Sequence, residues 1–441
     1  MATIQGLYTH HIEQLQQRVA KLLAREGLDA LIIHSGYPLR TFLDDQHYPF
    51  KTNPHFKHWL PLTEHPHCWL VINGVDKPKL IYHQPSDYWH KTADDPAGFW
   101  LDSFDIEIMK NPQDIEPFLP AQRQRCAYIG EHPELAEALA IGERNPESVL
   151  SFLHYYRAYK TDYEIDSIQE ANHRAVKAHL VAKELFFAGA SEFDINLAYL
   201  SCLGKSEYSL PYANIIAMNE NAAILHYTAL SAKKLAEKQH HSMLIDAGAE
   251  CRGYAADITR TYPYRKGLFA ELIDEMDKLQ LALVAELKPG LRYTDVHLKA
   301  HRQLAKVLVD FEFVTCSASA AVETGITRYF FPHGLGHHLG LQVHDMGGFM
   351  QDDSGEVQAA PEHHPFLRCT RILEPSQVLT IEPGLYFIAS LLAELAESDH
   401  SRLINWPRID EMRRFGGIRI EDNVLVSEQA PINLTREQNW K

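Results

Sequence analysis

Between residues 8 and 26 the apolar positions Ile12, Leu15, Val19, Leu22 and Leu23 recur at helical spacing, and Gly27 supplies a stop. The pattern then shortens. Residues 29–34 and 68–72 are compact apolar runs of the buried-strand type, and residues 79–82, beyond Asn73-Gly74, read as the hairpin or sheet partner of the second. Residues 42–61 follow neither period and read as an ordered loop, there either to pack or to serve a site. A second helical stretch surrounds residues 133–140. Thr161 and Glu164 then form a capping box, opening a long helix whose Ile165, Ile168, Ala171, Ala175, Val176 and Ala182 trace one face up to Gly189. Ser191 restarts a helix. With no internal repeat of 20 to 50 residues, the chain reads as an α+β protein, a mixed α/β domain over 1–159 followed by a second domain over 160–441.

Within the second domain, residues 243–247 and 254–258 are short strand-like runs joined across Gly248 and Gly253, the pattern of a hairpin. Each carries one carboxylate, Asp246 and Asp257. A register centred between Cys251 and Arg252 sets the two directly opposite, with Cβ atoms about 4.5–5.5 Å apart. Carboxylates that close repel unless a positive charge lies between them, and a pair of divalent cations is one solution. Two solvent-facing aspartates on a surface hairpin is the other reading.

Composition narrows the partners. The 42 Lys and Arg against 58 Asp and Glu give a formal charge of −16, with no basic block to reverse it locally, so no nucleic acid is expected. The six cysteines are scattered singly, which indicates neither a disulfide framework nor a cysteine zinc site. The N-terminus lacks a signal-peptide layout and no run of 18 apolar residues occurs, so the expectation is a cytoplasmic protein with no membrane partner.

Three further segments combine strand-like or glycine-rich backbone with an isolated ligand-type side chain: His333-Gly-Leu-Gly-His337-His338-Leu-Gly340, Leu379-Thr-Ile-Glu382-Pro-Gly384 and Gly416-Gly-Ile-Arg-Ile-Glu421-Asp-Asn. Glu382 ends the β-branched run 378–381, so its carboxylate stands at a core margin and needs a partner. Alternation across 418–424 puts Arg419 and Glu421 on one strand face. The glycines of the histidine segment have the wrong spacing for a dinucleotide loop. With 26 histidines in the chain, His240, His241, His363 and His364 read as solvated loop residues.

Taken in order, Asp246, Asp257, His337, Glu382 and Glu421 resemble the five metal-binding stations of the pita-bread peptidases, the family of methionine aminopeptidase, aminopeptidase P and prolidase. The likeness covers about 160–441. The loop FLDDQHYPFKTNPHFKHWLP (42–61) and the segment DYWHK (87–91) extend it to bacterial prolidases and the related organophosphorus acid anhydrolases over essentially the whole chain.

The resemblance implies an N-terminal mixed α/β domain followed by a pita-bread (creatinase/aminopeptidase-like) domain. It also implies a homodimeric Xaa-Pro dipeptidase with two divalent ions per subunit and a hydroxide between them, with phosphotriester hydrolysis as a side activity. Oxygen-dominated ligation with one imidazole favours Mn²⁺, with Co²⁺ and Zn²⁺ as alternatives. By the same likeness Glu382 is also the proton shuttle, while His226 and His344 bond the substrate and the developing oxyanion. Arg419 supports catalysis, and Asp45, Tyr212, His333 and Arg371 contact the substrate. Aminopeptidase P is the alternative enzyme, and a binding module that has lost its ligands is the alternative class. The stretches 352–364 and 391–414 depart from the shortest members of the fold, as lids or as surface insertions.

Overall fold

The computed structural model describes residues 3–86, 88, 93–438 and 440. The chain folds as two compact units, Met1–Ser167 with Asp352–Glu356, and Ile168–Gln351 with Val357–Lys441. Of the DYWHK segment, only Tyr88 is among the described residues.

The first unit is built on one six-stranded sheet. Helix α1 (Ile4–Glu26) starts at Thr3, whose hydroxyl accepts from the Gly6 N–H, and ends at Gly27 in the left-handed region, φ 67°. Strands β1 (Ala30–His34), β2 (Trp69–Ile72), β3 (Lys79–His83), β4 (Asp105–Met109), β5 (Cys126–Ile129) and β6 (Glu143–Arg144) lie in the order β4-β3-β2-β1-β5-β6. β2 pairs antiparallel with both β1 and β3, whereas the outer pairs are parallel, so the sheet is mixed. One sheet face buries Ile32, Trp69, Ile81 and Tyr128 together. The loop 42–61 is not wholly irregular, because Asn53 caps a one-turn helix, α2 (Pro54–Lys57).

Short helix α3 (Pro133–Ala138) and helix α4 (Glu147–Arg157) lead to the capping box, which forms as the pattern requires. Glu164 accepts from the Thr161 N–H at 2.8 Å, and the Glu164 N–H meets Thr161 Oγ1 at 3.4 Å. The Glu164 carboxylate is fully buried, 3.4 Å from His58 Nε2, and His11 Nδ1 lies 2.8 Å from Thr161 Oγ1. Burial works against its charge, but the two histidines hold it well below the usual carboxylate range.

Helix α5 (Asp162–Phe187) crosses the unit boundary. In the second unit its Ala171, Ala175 and Val176 pack on Cys251, Ala256 and Ile258 of the predicted hairpin. Helix α6 (Glu192–Leu203) follows. Strand β7 (Ile215–Met218) and β8 (Ser242–Asp246) run antiparallel, and β8 continues through β9 (Glu250–Cys251) and β10 (Tyr254–Ala255) to β11 (Thr259–Pro263).

The register corrects the sequence expectation. Asp246 stands opposite Thr259, not Asp257, because the turn centres on Arg252 (φ 54°) and Gly253 (φ 91°), the two positive-φ positions of a type I′ hairpin. The hairpin centre has moved by one residue, which shifts the pairing by two. Side chains alternate with period two, so both aspartates keep the same face and become diagonal neighbours.

Helices α7 (Leu268–Ala285), α8 (Tyr293–Asp310), α9 (Ala318–Glu323) and α10 (Ile326–Phe330) precede β12 (Val378–Ile381), which pairs antiparallel with β15 (Asp422–Leu425). Strand β13 (Gly384–Tyr386) pairs antiparallel with β14 (Gly417–Arg419), and the bridge Thr259↔Glu421 ties the hairpin to this layer. The stretch 391–414 is neither lid nor surface insertion. It holds most of α11 (Ala389–Glu397) and all of α12 (Trp406–Met412), whose Leu392, Leu395, Ile409 and Met412 join Met276, Leu304 and Ile381 in the largest apolar core. Residue Asp352 closes its own loop by accepting from Ser354 and the Glu356 N–H.

Three of the four histidines expected in solvated loops are not fully solvated. His240 is buried between Phe186 and Tyr264, while His241 is half-buried against Phe415 and His364 against His297. All six cysteines are free. Among the described residues no helix is long and apolar enough to cross a membrane.

Candidate active site

Five side chains from four strand ends and one glycine-rich loop converge in the second unit. Asp246 ends β8, and Asp257 follows β10 by two residues. His337 lies in the loop before β12, Glu382 just after β12, and Glu421 between β14 and β15. Small residues let the backbones come this close: a Cβ on Gly336 would run into the Thr380 carbonyl and the Tyr293 hydroxyl.

The Tyr212 hydroxyl bridges the two aspartates, 2.8 Å from Asp246 Oδ1 and 2.6 Å from Asp257 Oδ1. Arg419 Nη2 donates to Asp246 Oδ2 at 2.6 Å, Nη1 to the Tyr386 hydroxyl at 3.0 Å and Nε to Thr259 Oγ1 at 3.2 Å. Thr259 Oγ1 in turn donates to Glu421 Oε2 at 2.6 Å. His337 Nδ1 donates to the His338 carbonyl at 3.0 Å, which leaves Nε2 facing Asp257 Oδ2 (3.5 Å) and Glu382 Oε1 (3.7 Å); against burial, these two carboxylates raise the His337 pKa. The nearest ligand atoms of Asp257, His337 and Glu421 all lie within 4.8 Å of one another.

Burial and mutual repulsion dominate the electrostatics. Burial raises Glu382 to about 7, and burial with the neighbouring Asp257 and Glu382 charges raises Glu421 well above the carboxylate range. Asp246 is also raised by burial, with Arg419 opposing. Asp257 alone is held down, against burial, by His337 and Tyr212. His333 is lowered to about 3 by burial and the Arg419 charge, so it is neutral. It fits a short relay in which its Nε2 accepts from the Tyr386 hydroxyl at 2.8 Å. Its Nδ1 donates to the Gly334 carbonyl at 2.8 Å and stands 3.6 Å from Glu382 Oε2.

A family model described as metallopeptidase family M24 matches residues 166–428, the segment that carries all five converging side chains. The chain belongs to metallopeptidase family M24. A second model, described as the Xaa-Pro dipeptidase N-terminal domain, matches residues 6–155. The Xaa-Pro dipeptidase of Pseudoalteromonas translucida (strain TAC 125) is 56% identical over 98% of this chain and 98% of its own. That of Aeromonas hydrophila is 51% identical over 99% of each. Aminopeptidase P from E. coli with the inhibitor Pro-Leu superposes with a TM-score of 0.73 at 25% identity, over 97% of this chain and 96% of that one. The architecture is therefore that of aminopeptidase P, an N-terminal domain followed by a pita-bread M24 domain.

The other expected residues of this M24 metallopeptidase fall into three groups. His344 stands at the exposed rim with its ring 4.4 Å from that of His337 and perpendicular to it, and the exposed His226 is near enough to add to the positive field at His333 and His344. Tyr212, His333 and Arg419 are tied into the network itself. Arg371 is 2% exposed with its guanidinium 3.6 Å from Glu374, a structural ion pair, and Asp45 lies exposed in the first unit, its N–H on the Asp44 carboxylate.

Sequence reasoning missed Thr259, Tyr386 and Asn423. Asn423 Oδ1 accepts the Asp257 N–H at 3.0 Å and so fixes that backbone. A correct hairpin register would have exposed Thr259, which stands opposite Asp246. Nothing in the sequence singles out Tyr386.

Proposed function

We propose that the protein is a dinuclear metal-dependent dipeptidase that hydrolyses Xaa-Pro dipeptides. The observation that carries this is the shortage of positive charge among four converging carboxylates. Arg419 is the single guanidinium bonded to them among the described residues, three of the four have raised pKa values, and one Tyr212 proton is shared between two acids. Asp246, Asp257, His337, Glu382 and Glu421 fit two divalent cations: their donors are oxygen atoms with one imidazole whose tautomer is already set, which suits Mn²⁺ ahead of Co²⁺ or Zn²⁺. When bound, such ions supply Lewis acidity and a water of lowered pKa.

The chain's own residues do the rest. Glu382 takes a proton from the attacking water and returns it to the proline nitrogen as the amide C–N bond breaks. That nitrogen leaves as the secondary amine of proline and needs one proton to do so, which the acid supplies. His226 and His344 donate to the carbonyl oxygen as charge develops there. Arg419 holds Asp246 in place and, through Tyr386, fixes the orientation of the neutral His333 beside the substrate. The same site has the chemistry for phosphotriester hydrolysis as a side activity. A cytoplasmic homodimer is the expected setting.

The deciding experiment compares an Xaa-Pro dipeptide with an Xaa-Pro-Yaa tripeptide, using chelated protein and protein refilled with Mn²⁺. Metal-dependent cleavage of the dipeptide alone is expected. Cleavage of the tripeptide would make the enzyme an aminopeptidase P, and inactivity on both with every metal would revive the binding-module reading.

A further inference from the structure

Helix α8 carries His297 and His301 one turn apart, so both rings lie on one face, and each residue is 1% exposed. The loop leading to Leu367 brings His364 onto the same spot. One nitrogen from each of the three lies within 4.8 Å of the other two, and the ring centroids are 4.5–4.8 Å apart.

The three imidazoles are neutral, and two of them, His297 and His301, carry a buried nitrogen with no partner among the described residues. His301 Nδ1 pairs with Thr327 Oγ1 at 3.0 Å, while its Nε2 is buried with no partner among the described residues. This is how a ligating imidazole is usually aimed, through a hydrogen bond on its far nitrogen. His297 Nε2 lies 2.9 Å from His364 Nδ1, and His297 Nδ1 is a second buried atom without a partner. Burial, with the neighbouring imidazoles, lowers His297 to about 2, and burial followed by His364 and Arg328 lowers His301 to about 3, so the lone pairs are available at neutral pH. Leaving such polar atoms buried and unpaired is costly, and a cation would offset that cost.

The chemistry of the cluster selects among cations. Its ligand group contains no carboxylate, and the Arg328 guanidinium adds positive charge. Hard ions that depend on anionic oxygen are therefore disfavoured, whereas Zn²⁺ and its neighbours bind neutral imidazole well. Zinc–nitrogen bonds of about 2.0–2.1 Å need ligand nitrogens roughly 3.3–3.5 Å apart, an adjustment from the present spacings, 2.9 Å for His297 to His364 and within 4.8 Å for every pair, that the half-buried His364 loop is placed to make.

We propose that His297, His301 and His364 bind a third divalent transition-metal ion, Zn²⁺ in preference to Mn²⁺, at a site separate from the four-carboxylate centre. An anion or hydroxide from solvent closes the fourth position, favoured there by Arg328. The ion fastens the His364 loop to α8. His364, Phe366, Leu367 and His333 line one cleft of about 320 Å³, so occupancy of the new site stiffens the wall of the cleft that holds His333.

The test uses full-length protein loaded with Mn²⁺ and dialysed against buffered Zn²⁺, comparing the wild type with His301→Gln and His364→Ala. The wild type is expected to retain one more equivalent of zinc per chain than either variant. X-ray absorption of its zinc should show three nitrogen neighbours for the extra equivalent. Exchange at the carboxylate centre would raise zinc equally in all three proteins. Equal zinc content throughout, or a wild-type signal with oxygen neighbours only, would overturn the proposal. The loop variant His364→Ala keeps the test valid should His301→Gln fail to fold.

Discussion

Arg419 meets three acceptors in three directions, and a single ammonium could not replace that fork. The variant Arg419→Lys retains the charge but loses at least the Tyr386 and Thr259 contacts. The Michaelis constant and kcat for an Xaa-Pro dipeptide, measured on correctly folded variant, should show kcat/KM reduced by about tenfold or more. An unchanged kcat/KM would mean that the charge alone is enough. At this scale the sequence was uneven. The five converging side chains were legible through the resemblance of their order along the chain to the pita-bread peptidases, since each segment alone carries little, and Arg419 was legible beside Glu421 on one strand face. Tyr386 was not, since a tyrosine in the strand Gly384–Tyr386 reads as ordinary core until its hydroxyl is seen between His333 and Arg419.

The hairpin shows where element-level reading stops. Its two strands and the common face of Asp246 and Asp257 follow from alternation, but its register was set by a turn beginning at Arg252, a residue that seldom takes positive φ and so gives no compositional signal. Likewise the helices of 391–414 were missed as core because an insertion relative to shorter relatives suggested surface, whereas their apolar positions fill the main cluster. Gly248 lies where the hairpin meets Tyr212: a Cβ there would strike the Ala256 carbonyl and the Tyr212 ring. The Gly248→Ala variant should lose about 1–3 kcal/mol of stability in a urea titration. It should also hold metal more weakly, as Tyr212 is pushed off the aspartates. Wild-type stability would show that the hairpin can relax without cost.

At the scale of the whole chain, histidines buried in the neutral form make stability depend on pH. His11 and His67 are lowered to about 4 and His179 to about 3, in each case chiefly by burial. In the unfolded chain these groups take up protons near pH 6.5, which the folded chain refuses until its lower values are reached. Their contribution is therefore fully present above about pH 6.5 and is lost as pH falls toward 4. The thermal midpoint should drop across that window, and a flat profile would mean that the histidines open to water without unfolding the chain.

The crowded carboxylates act in the opposite sense, opposing folding until cations arrive. Exhaustive chelation should lower the thermal midpoint and readdition of Mn²⁺ should restore it, by an amount that grows with metal concentration, because an ion that binds only the folded state stabilises it by mass action. A proteolysis assay run beside the melt would show the same order. Inside a cell, proteases sample the unfolded fraction continuously, so a small change in that fraction alters abundance several-fold. The cost of gathering four acids thus makes the lifetime of the polypeptide a gauge of metal supply: a starved cell would clear the idle enzyme rather than store it.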